Sequence, residues 1–247
     1  MTDKGKTYLQ PFLPKLNNAI SKNRHSLYSS PKIVISKIGL KCEAFYDKEG
    51  VYASINTNCI HSFNKDFVPE YVLCWINSKL YNYLFECLFD GLRMAGGYLL
   101  FSAPNIKNTY IKRIQNDKQI PFVEFADMMN VKQNQLAELK NMFSAHLLSK
   151  FEIEKLSTKL QNWDGLEFKD FLRELKKAKV QLTLPEEAEW MQYFNTEKEK
   201  AQAIKKQITD ADEEIDLMVY KLYELTYDEV KIVDPEFAIT KESYTDL

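Results

Sequence analysis

The stretch Tyr71-Val72-Leu73-Cys74-Trp75-Ile76-Asn77-Ser78-Lys79-Leu80-Tyr81-Asn82-Tyr83-Leu84-Phe85-Glu86-Cys87-Leu88 decides how the rest of the chain is read. Pro69, two residues upstream, suits the first turn of a helix, where a missing N–H costs nothing. Leu73, Ile76, Leu80 and Leu84 recur at helical spacing, and Val72, Trp75, Tyr83 and Phe85 widen the apolar face nearly all the way round. A helix this apolar is expected to be buried. Short β-prone runs flank it at 32–38, 51–55 and 98–102. The pattern predicts a mixed β-sheet packed on a central helix.

Working outward, residues 1–31 are polar and basic, with weak helical periodicity over 8–20 interrupted by Pro11 and Pro14. Ile33, Val34 and Ile35 carry strong β propensity, and Gly39 ends that run. The runs 41–46 and 51–55 bracket Asp47-Lys48-Glu49-Gly50, which predicts a hairpin. A further strand is expected at 58–62. After the apolar helix, 91–97 holds three of the seven glycines and reads as a flexible loop. Two more strands, 98–102 and 109–114, are expected on either side of Ala103-Pro104-Asn105.

Beyond about residue 120 the pattern turns helical. Leu136, Leu139, Phe143 and His146/Leu147 follow heptad-like spacing. Helices are expected over about 165–177 and 185–224, the latter lined by Ile208, Ile215, Val219 and Leu222. Capping-box spacing occurs at Asp164/Glu167, Thr183/Glu186 and Thr226/Glu229, the last opening a short final helix. The fold class is therefore α+β: a mixed α/β domain over 1–120, then an all-α domain over 121–247.

The composition leaves few function classes open. A 45% hydrophobic content suffices for a packed core, and no apolar run reaches the ~18 residues that cross a bilayer. The polar start Met-Thr-Asp-Lys-Gly-Lys is no signal peptide, so a cytoplasmic protein is expected. Cys42, Cys59, Cys74 and Cys87 match no zinc-ligand spacing and read as reduced, mostly buried thiols. The net charge of −2 conceals a split. Residues 1–120 carry 16 Lys and Arg against 9 Asp and Glu, whereas 121–247 carry 17 against 26. A basic region predicts an anionic partner, nucleic acid above all.

Signals for catalysis are poor. There is no Gly-x-Gly-x-x-Gly and no Walker loop, and His25, His61 and His146 are scattered. Glu167-Phe168-Lys169 and Glu174-Leu175-Lys176 have the E-x-K form of metal-dependent nucleases, but in a helical setting such pairs decorate a solvated face. The basic half is more informative. Lys32, Lys37, Lys41, Arg93, Lys107, Lys112 and Arg113 are interleaved with Tyr98, Asn105, Asn108 and Tyr110. Lys and Arg neutralise phosphates, and Arg and Asn can read base edges through paired hydrogen bonds. Lys32, Lys37, Lys41, Arg93, Tyr98, Asn105, Lys107, Asn108, Lys112 and Arg113 are the candidate DNA-binding residues.

These residues sit within phrases that resemble a known family. Pro31-Lys32-Ile33-Val34, Phe45-Tyr46-Asp47, Gly50-Val51-Tyr52 and Ile76-Asn77-Ser78-Lys79-Leu80 resemble the TaqI-like target-recognition domain of Type IIG restriction-modification enzymes and related adenine methyltransferases. Phe168-Lys169-Asp170-Phe171, Glu174-Leu175-Lys176-Lys177, Glu189-Trp190 and the run 215–226 look like the C-terminal extension of the same enzymes. The resemblance covers roughly 31–232. It implies a module that recognises a short DNA sequence and positions it for a methyltransferase and an endonuclease. No Asn/Asp-Pro-Pro-Tyr/Phe motif and no glycine-rich S-adenosylmethionine loop occurs in the chain. The expectation is a fragment or separate specificity subunit with no catalysis of its own and no cofactor, S-adenosylmethionine and Mg being needed only by the missing domains. Its partners would be double-stranded DNA and methyltransferase or nuclease domains, with no membrane. The competing expectation is a protein-interaction subunit that assembles a complex without reading bases.

Overall fold

A computed structural model of the chain describes residues 10–11, 22–54 and 56–246. It divides into two compact units, Met1–Ala126 with Asp212–Leu247, and Asp127–Ala211. In the first unit, chain order runs β1 (Gln10–Pro11), α1 (Lys22–Tyr28), β2 (Lys32–Ser36), β3 (Ile38–Gly39), β4 (Ala44–Asp47), β5 (Tyr52–Ala53) and β6 (Thr57–His61). Helices α2 (Pro69–Asn77) and α3 (Lys79–Phe89), strand β7 (Leu99–Leu100) and the short helix α4 (Ala103–Lys107) follow. Long helices α5 (Asn116–Phe151) and α8 (Leu184–Leu222) each cross a unit boundary, and α6 (Thr158–Gln161) and α7 (Phe168–Lys177) lie between them in the chain. The chain then closes with α9 (Tyr227–Val233) and α10 (Lys241–Asp246).

The α+β expectation holds, with changes in the details. Among the described residues the strands form three small antiparallel sheets, ordered β1-β5, β4-β2-β6 and β3-β7, and not one mixed sheet. Ile33, Val34 and Ile35 on the central strand β2 are fully buried, as their apolar run predicts. The expected hairpin over 41–55 does not form. β4 pairs with β2 while β5 pairs with β1, because the Asp47 carboxylate accepts from the N–H groups of Val51 (3.2 Å) and Tyr52 (2.9 Å) and turns the chain locally. Gly50 in this turn has φ +67°, and a Cβ there would lie 2.5 Å from the Ser29 carbonyl group, so only glycine fits. Of the expected helix at 8–20 only Gln10 and Pro11 are described, and they form a strand; the remainder, like Ile55, lies outside the described residues.

The central helix is two helices. Ser78 takes an extended backbone (φ −66°, ψ 153°) and ends one helix while capping the next. Its Oγ donates to the Trp75 carbonyl (2.7 Å) and accepts from the Tyr81 N–H (3.2 Å). The apolar face continues across this break: Tyr71, Cys74, Trp75, Ile76, Leu80, Tyr81 and Phe85 are all buried. Residues 212–247 complete this core, contributing Ile215, Val219, Tyr220, Val230 and Tyr244. Trp75 stacks on Tyr223 with ring centroids 4.5 Å apart. The sequence expectation placed 212–247 with the helical domain; here they pack with the first unit.

Residues 109–114 form no strand. The Lys112 peptide is held between two side chains instead, with Tyr71 Oη donating to its carbonyl (2.7 Å) and its N–H donating to Tyr223 Oη (2.8 Å). Side chains thus replace a neighbouring strand as hydrogen-bond partners.

The second unit is all helical. Phe143, Leu147, Leu160, Trp163, Phe171, Leu175, Trp190 and Phe194 form its core, and the Phe143 ring stacks on Trp163 at 3.9 Å. The capping box expected at Thr226/Glu229 forms, and at Thr183/Glu186 one half of it does, the Glu186 carboxylate accepting from the Thr183 N–H (2.9 Å) and hydroxyl (2.7 Å). The one expected at Asp164/Glu167 does not, because Asp164 is buried and ion-paired with Lys140 (3.2 Å) and Lys205. Burial pushes the Asp164 carboxyl up, yet the two ammonium groups outweigh it and hold its pKa below the ordinary value.

Candidate nucleic-acid interface

The ten candidate side chains separate into those spent inside the fold and those presented to solvent. Lys32 is fully buried. Its Nζ donates to Asp47 Oδ2 (2.5 Å) and to the Tyr28 carbonyl (2.6 Å), and its residue lies directly across the ladder from Asp47. A phosphate cannot reach it, so Lys32 is withdrawn as a DNA contact. Lys112 is also committed, with Nζ capping the Leu222 carbonyl (2.7 Å) at the end of α8 and pairing with Glu224 (2.9 Å). Arg93 is held by Asp90 (2.6 Å), Glu86 (3.3 Å) and the Gly97 carbonyl (3.3 Å). Arg113 is exposed but pairs with Asp66 (2.9 Å). The Asn105 amide donates to the Leu100 carbonyl (3.2 Å) and positions the start of α4.

Lys37, Lys41, Lys107, Asn108 and Tyr98 are exposed. Among the described residues, Lys37, Lys41 and Lys107 enter no ion pair. Backbone pairing brings the segments that carry Lys37 and Tyr98 together. Lys37 and Lys41 flank β3, Tyr98 precedes β7, and Lys107 ends the helix that follows β7. The Phe101 N–H donates to the Lys37 carbonyl (2.9 Å), and the Met94 N–H donates to the Tyr98 carbonyl (2.7 Å). The Asn58 amide donates to the Phe101 carbonyl (2.5 Å) and ties this ribbon to β6. The expected flexible loop over 91–97 is a pair of 3₁₀ turns, with Gly96 and Gly97 both at positive φ.

Charge by unit differs from charge by sequence half. The first unit carries 19 Lys and Arg against 21 Asp and Glu, a net of −2, and the second carries 14 against 14. The acidic residues at 212–247 sit among the basic ones of the N-terminal half, as at Lys79, whose Nζ lies 2.7 Å from Asp234 and 3.8 Å from Asp216. The expected basic domain and acidic domain therefore do not exist as separate bodies.

The phrase Asn77-Ser78-Lys79 is structural throughout. The Asn77 side chain exchanges two hydrogen bonds with the Ala44 backbone (2.9 and 3.0 Å), satisfying an edge of β4. Ser78 caps, and Lys79 binds the C-terminal segment. Asn82 adds an acceptor for the Cys42 N–H (2.5 Å).

Residues 5–96 match the family model of the TaqI-like C-terminal specificity domain. The match supports a restriction-modification specificity domain in this part of the chain, and it takes in Lys37, Lys41 and the Arg93 turn. Residues 115–219 match a second model, described as a domain of unknown function (DUF8810). No curated protein and no solved structure matches the chain. Beyond the specificity domain, Glu167 and Glu174 of the E-x-K tripeptides lie at and within α7, bonded to Lys198 (2.8 Å) and to Lys177 (2.7 Å). Among the described residues, no group of three or more His, Cys, Asp or Glu side chains is placed to hold a metal ion, and no helix is long and apolar enough to cross a membrane.

Sequence reasoning passed over Ile38, Leu40 and Met94. Apolar residues beside a β-prone run signal core, and nothing in their spacing shows that these three are 47%, 59% and 47% exposed.

Proposed function

We propose that the chain is a double-stranded DNA recognition module of a restriction-modification enzyme, cytoplasmic, reading a short sequence and positioning it for adenine methylation and cleavage. Those reactions belong to methyltransferase and nuclease domains of the same protein or a companion, as do S-adenosylmethionine and Mg. The isolated chain binds without catalysing. One observation carries this reading: the segment matching a specificity domain presents Lys37 and Lys41 beside one short ribbon, both exposed and in no ion pair within 4 Å among the described residues. Exposed cations can exchange their solvent for phosphate oxygens and release counterions. A Type IIG parent fits the phrases at 76–80 and 168–177.

The test is binding of the purified chain to duplexes selected from a random-sequence pool, titrated with salt. The expected result is an enriched short motif and an affinity that falls steeply between low and moderate salt. Absence of any enriched motif, with weak and salt-independent binding, would replace this reading with an assembly subunit. Methyl transfer to DNA by the chain alone would overturn its assignment as non-catalytic.

A further inference from the structure

The ribbon β3–β7 is apolar on both faces. Leu99 points to the core and is buried, as one face of a small sheet should be. The register pairs Ile38 with Leu100 and Gly39 with Leu99, and the chain then bends at Leu40. Because side chains alternate along a strand, the paired Ile38 and Leu100 share the opposite face, and Leu40 and Tyr98 follow and precede these strands directly. That face should be polar if it met only water. Instead Ile38 is 47%, Leu40 59% and Tyr98 38% exposed, and Met94, bonded through its N–H to Tyr98, is 47% exposed. A Cβ on Gly97 would lie 3.9 Å from Leu40 Cδ2, so Leu40 stands over the Gly96-Gly97 turn with little side-chain bulk beneath it.

An exposed apolar patch of this kind marks a surface that meets a partner. Its surroundings identify the partner's chemistry. Lys37 directly precedes β3 and Lys41 directly follows Leu40, both exposed. Neither enters an ion pair within 4 Å among the described residues, and the Lys41 charge is also felt by the Asp212 carboxylate. Lys107 ends the helix after β7. Cations flanking an apolar strip fit a DNA groove, in which phosphates form the rims and base edges the floor. The patch also continues the surface proposed above for phosphate contact.

We propose that Leu40, supported by Met94 and Tyr98, is a specificity-determining contact: it reaches the base edges of a DNA groove while Lys37 and Lys41 grip the phosphates on its rims. This rests on the DNA-recognition reading. An apolar side chain in a groove favours a thymine methyl group and disfavours exposed polar edges. Its contribution does not release counterions, so it is independent of salt.

The experiment uses the full chain and the duplex that it selects from a random pool, with a random duplex as control. Leu40→Ala and Met94→Ala remove exposed groups, and unchanged thermal unfolding will show that both variants fold. Leu40→Ala is expected to weaken binding to the selected duplex about fivefold or more. Binding to random duplex and the salt slope should stay as they were. Replacing thymines of the motif one by one with deoxyuridine should reproduce the loss at one position, and Leu40→Ala should then add nothing there. Equal loss on selected and random duplexes, or no loss on either, overturns the assignment of Leu40 while leaving DNA recognition standing. So does self-association of the wild-type chain that Leu40→Ala abolishes with DNA binding unchanged. Failure of the wild-type chain to select any motif removes both readings together.

Discussion

The backbone N–H of Lys79 donates to Asp216 Oδ1 at 2.8 Å, across 137 residues of sequence. Lys79 is the first residue of α3, where N–H groups lack helical acceptors, so the Asp216 carboxylate serves a helix N-terminus from a distant helix. The Lys79 side chain repeats the connection at Asp234. Burial pulls the ammonium down, but Asp234 and Asp216 together hold its pKa above the ordinary value.

Burial raises the Asp216 carboxyl to about 6, against which the Lys79 N–H and ammonium pull only in part. The folded chain therefore takes up a proton that the unfolded chain lacks between about pH 4 and 6. This group favours folding most at the acid end of that window, and the benefit is lost as pH rises through 6. Asp216→Asn keeps the acceptor without the charge. Urea unfolding across pH 4 to 8 should show the variant gaining on the wild type as pH rises, by up to about 3 kcal/mol at pH 7. Parallel curves would contradict it.

Asp164 has the opposite sign. Its carboxyl is held low by Lys140 and Lys205, so its stabilisation is present above about pH 4 and lost as pH falls through the native value. Asp164→Asn should destabilise the helical unit by about 2–3 kcal/mol at pH 7 and remove part of its acid sensitivity. Near-ultraviolet circular dichroism of the Trp163 environment, followed on acidification, reports both effects.

Among the described residues, Asp47 is the carboxylate that neutralises the buried Lys32 ammonium, and it also accepts from two backbone N–H groups. Asp47→Ala leaves that ammonium buried without its counter-charge, at a cost of about 3–5 kcal/mol. Thermal unfolding should record the loss. Lys32→Met should change DNA affinity no more than its effect on folding explains, which separates it from Lys37, Lys41 and Lys107, the lysines proposed to contact phosphate.

Those lysines are expected to behave in reverse. Replacing Lys37, Lys41 and Lys107 together by Ala should leave the melting temperature nearly unchanged. The logarithmic salt slope of DNA binding should fall by up to about 3, roughly 0.9 for each phosphate no longer neutralised. An unaltered slope would show that phosphates are held elsewhere.

Much of this was legible in the sequence where a signal was local. The buried strand Ile33-Val34-Ile35, the helical caps at Thr183 and Thr226, and the apolar face from Tyr71 to Phe85 all follow from spacing and residue type. Ser78 was the missed stop. It is a good N-cap residue, but the apolar periodicity runs through it unbroken, and periodicity alone does not register a change of backbone direction. Partnerships between distant residues were illegible for a different reason. Lys32, Arg93 and Lys112 look like any other lysine or arginine, and only Asp47, Asp90 with Glu86, and Glu224 reveal that their charges are already used. The exposed Leu40 was hidden likewise, since its position beside Gly97 depends on residues far along the chain.

The assembly of the first unit from both ends of the sequence bears on how it is made. A ribosome releases the basic strands, α2 and α3 long before it releases Ile215, Tyr220, Tyr223 and Asp234. During that interval Trp75 has no Tyr223 to stack on, and Lys79 and Lys112 have no acidic partners. The nascent segment is then a cationic, incompletely covered body, attractive to any nearby polyanion, and it becomes the balanced unit only once the residues after 211 have been synthesised. Timing of synthesis thus sets when Lys79 and Lys112 meet Asp216, Asp234 and Glu224 and their charges are taken up inside the fold.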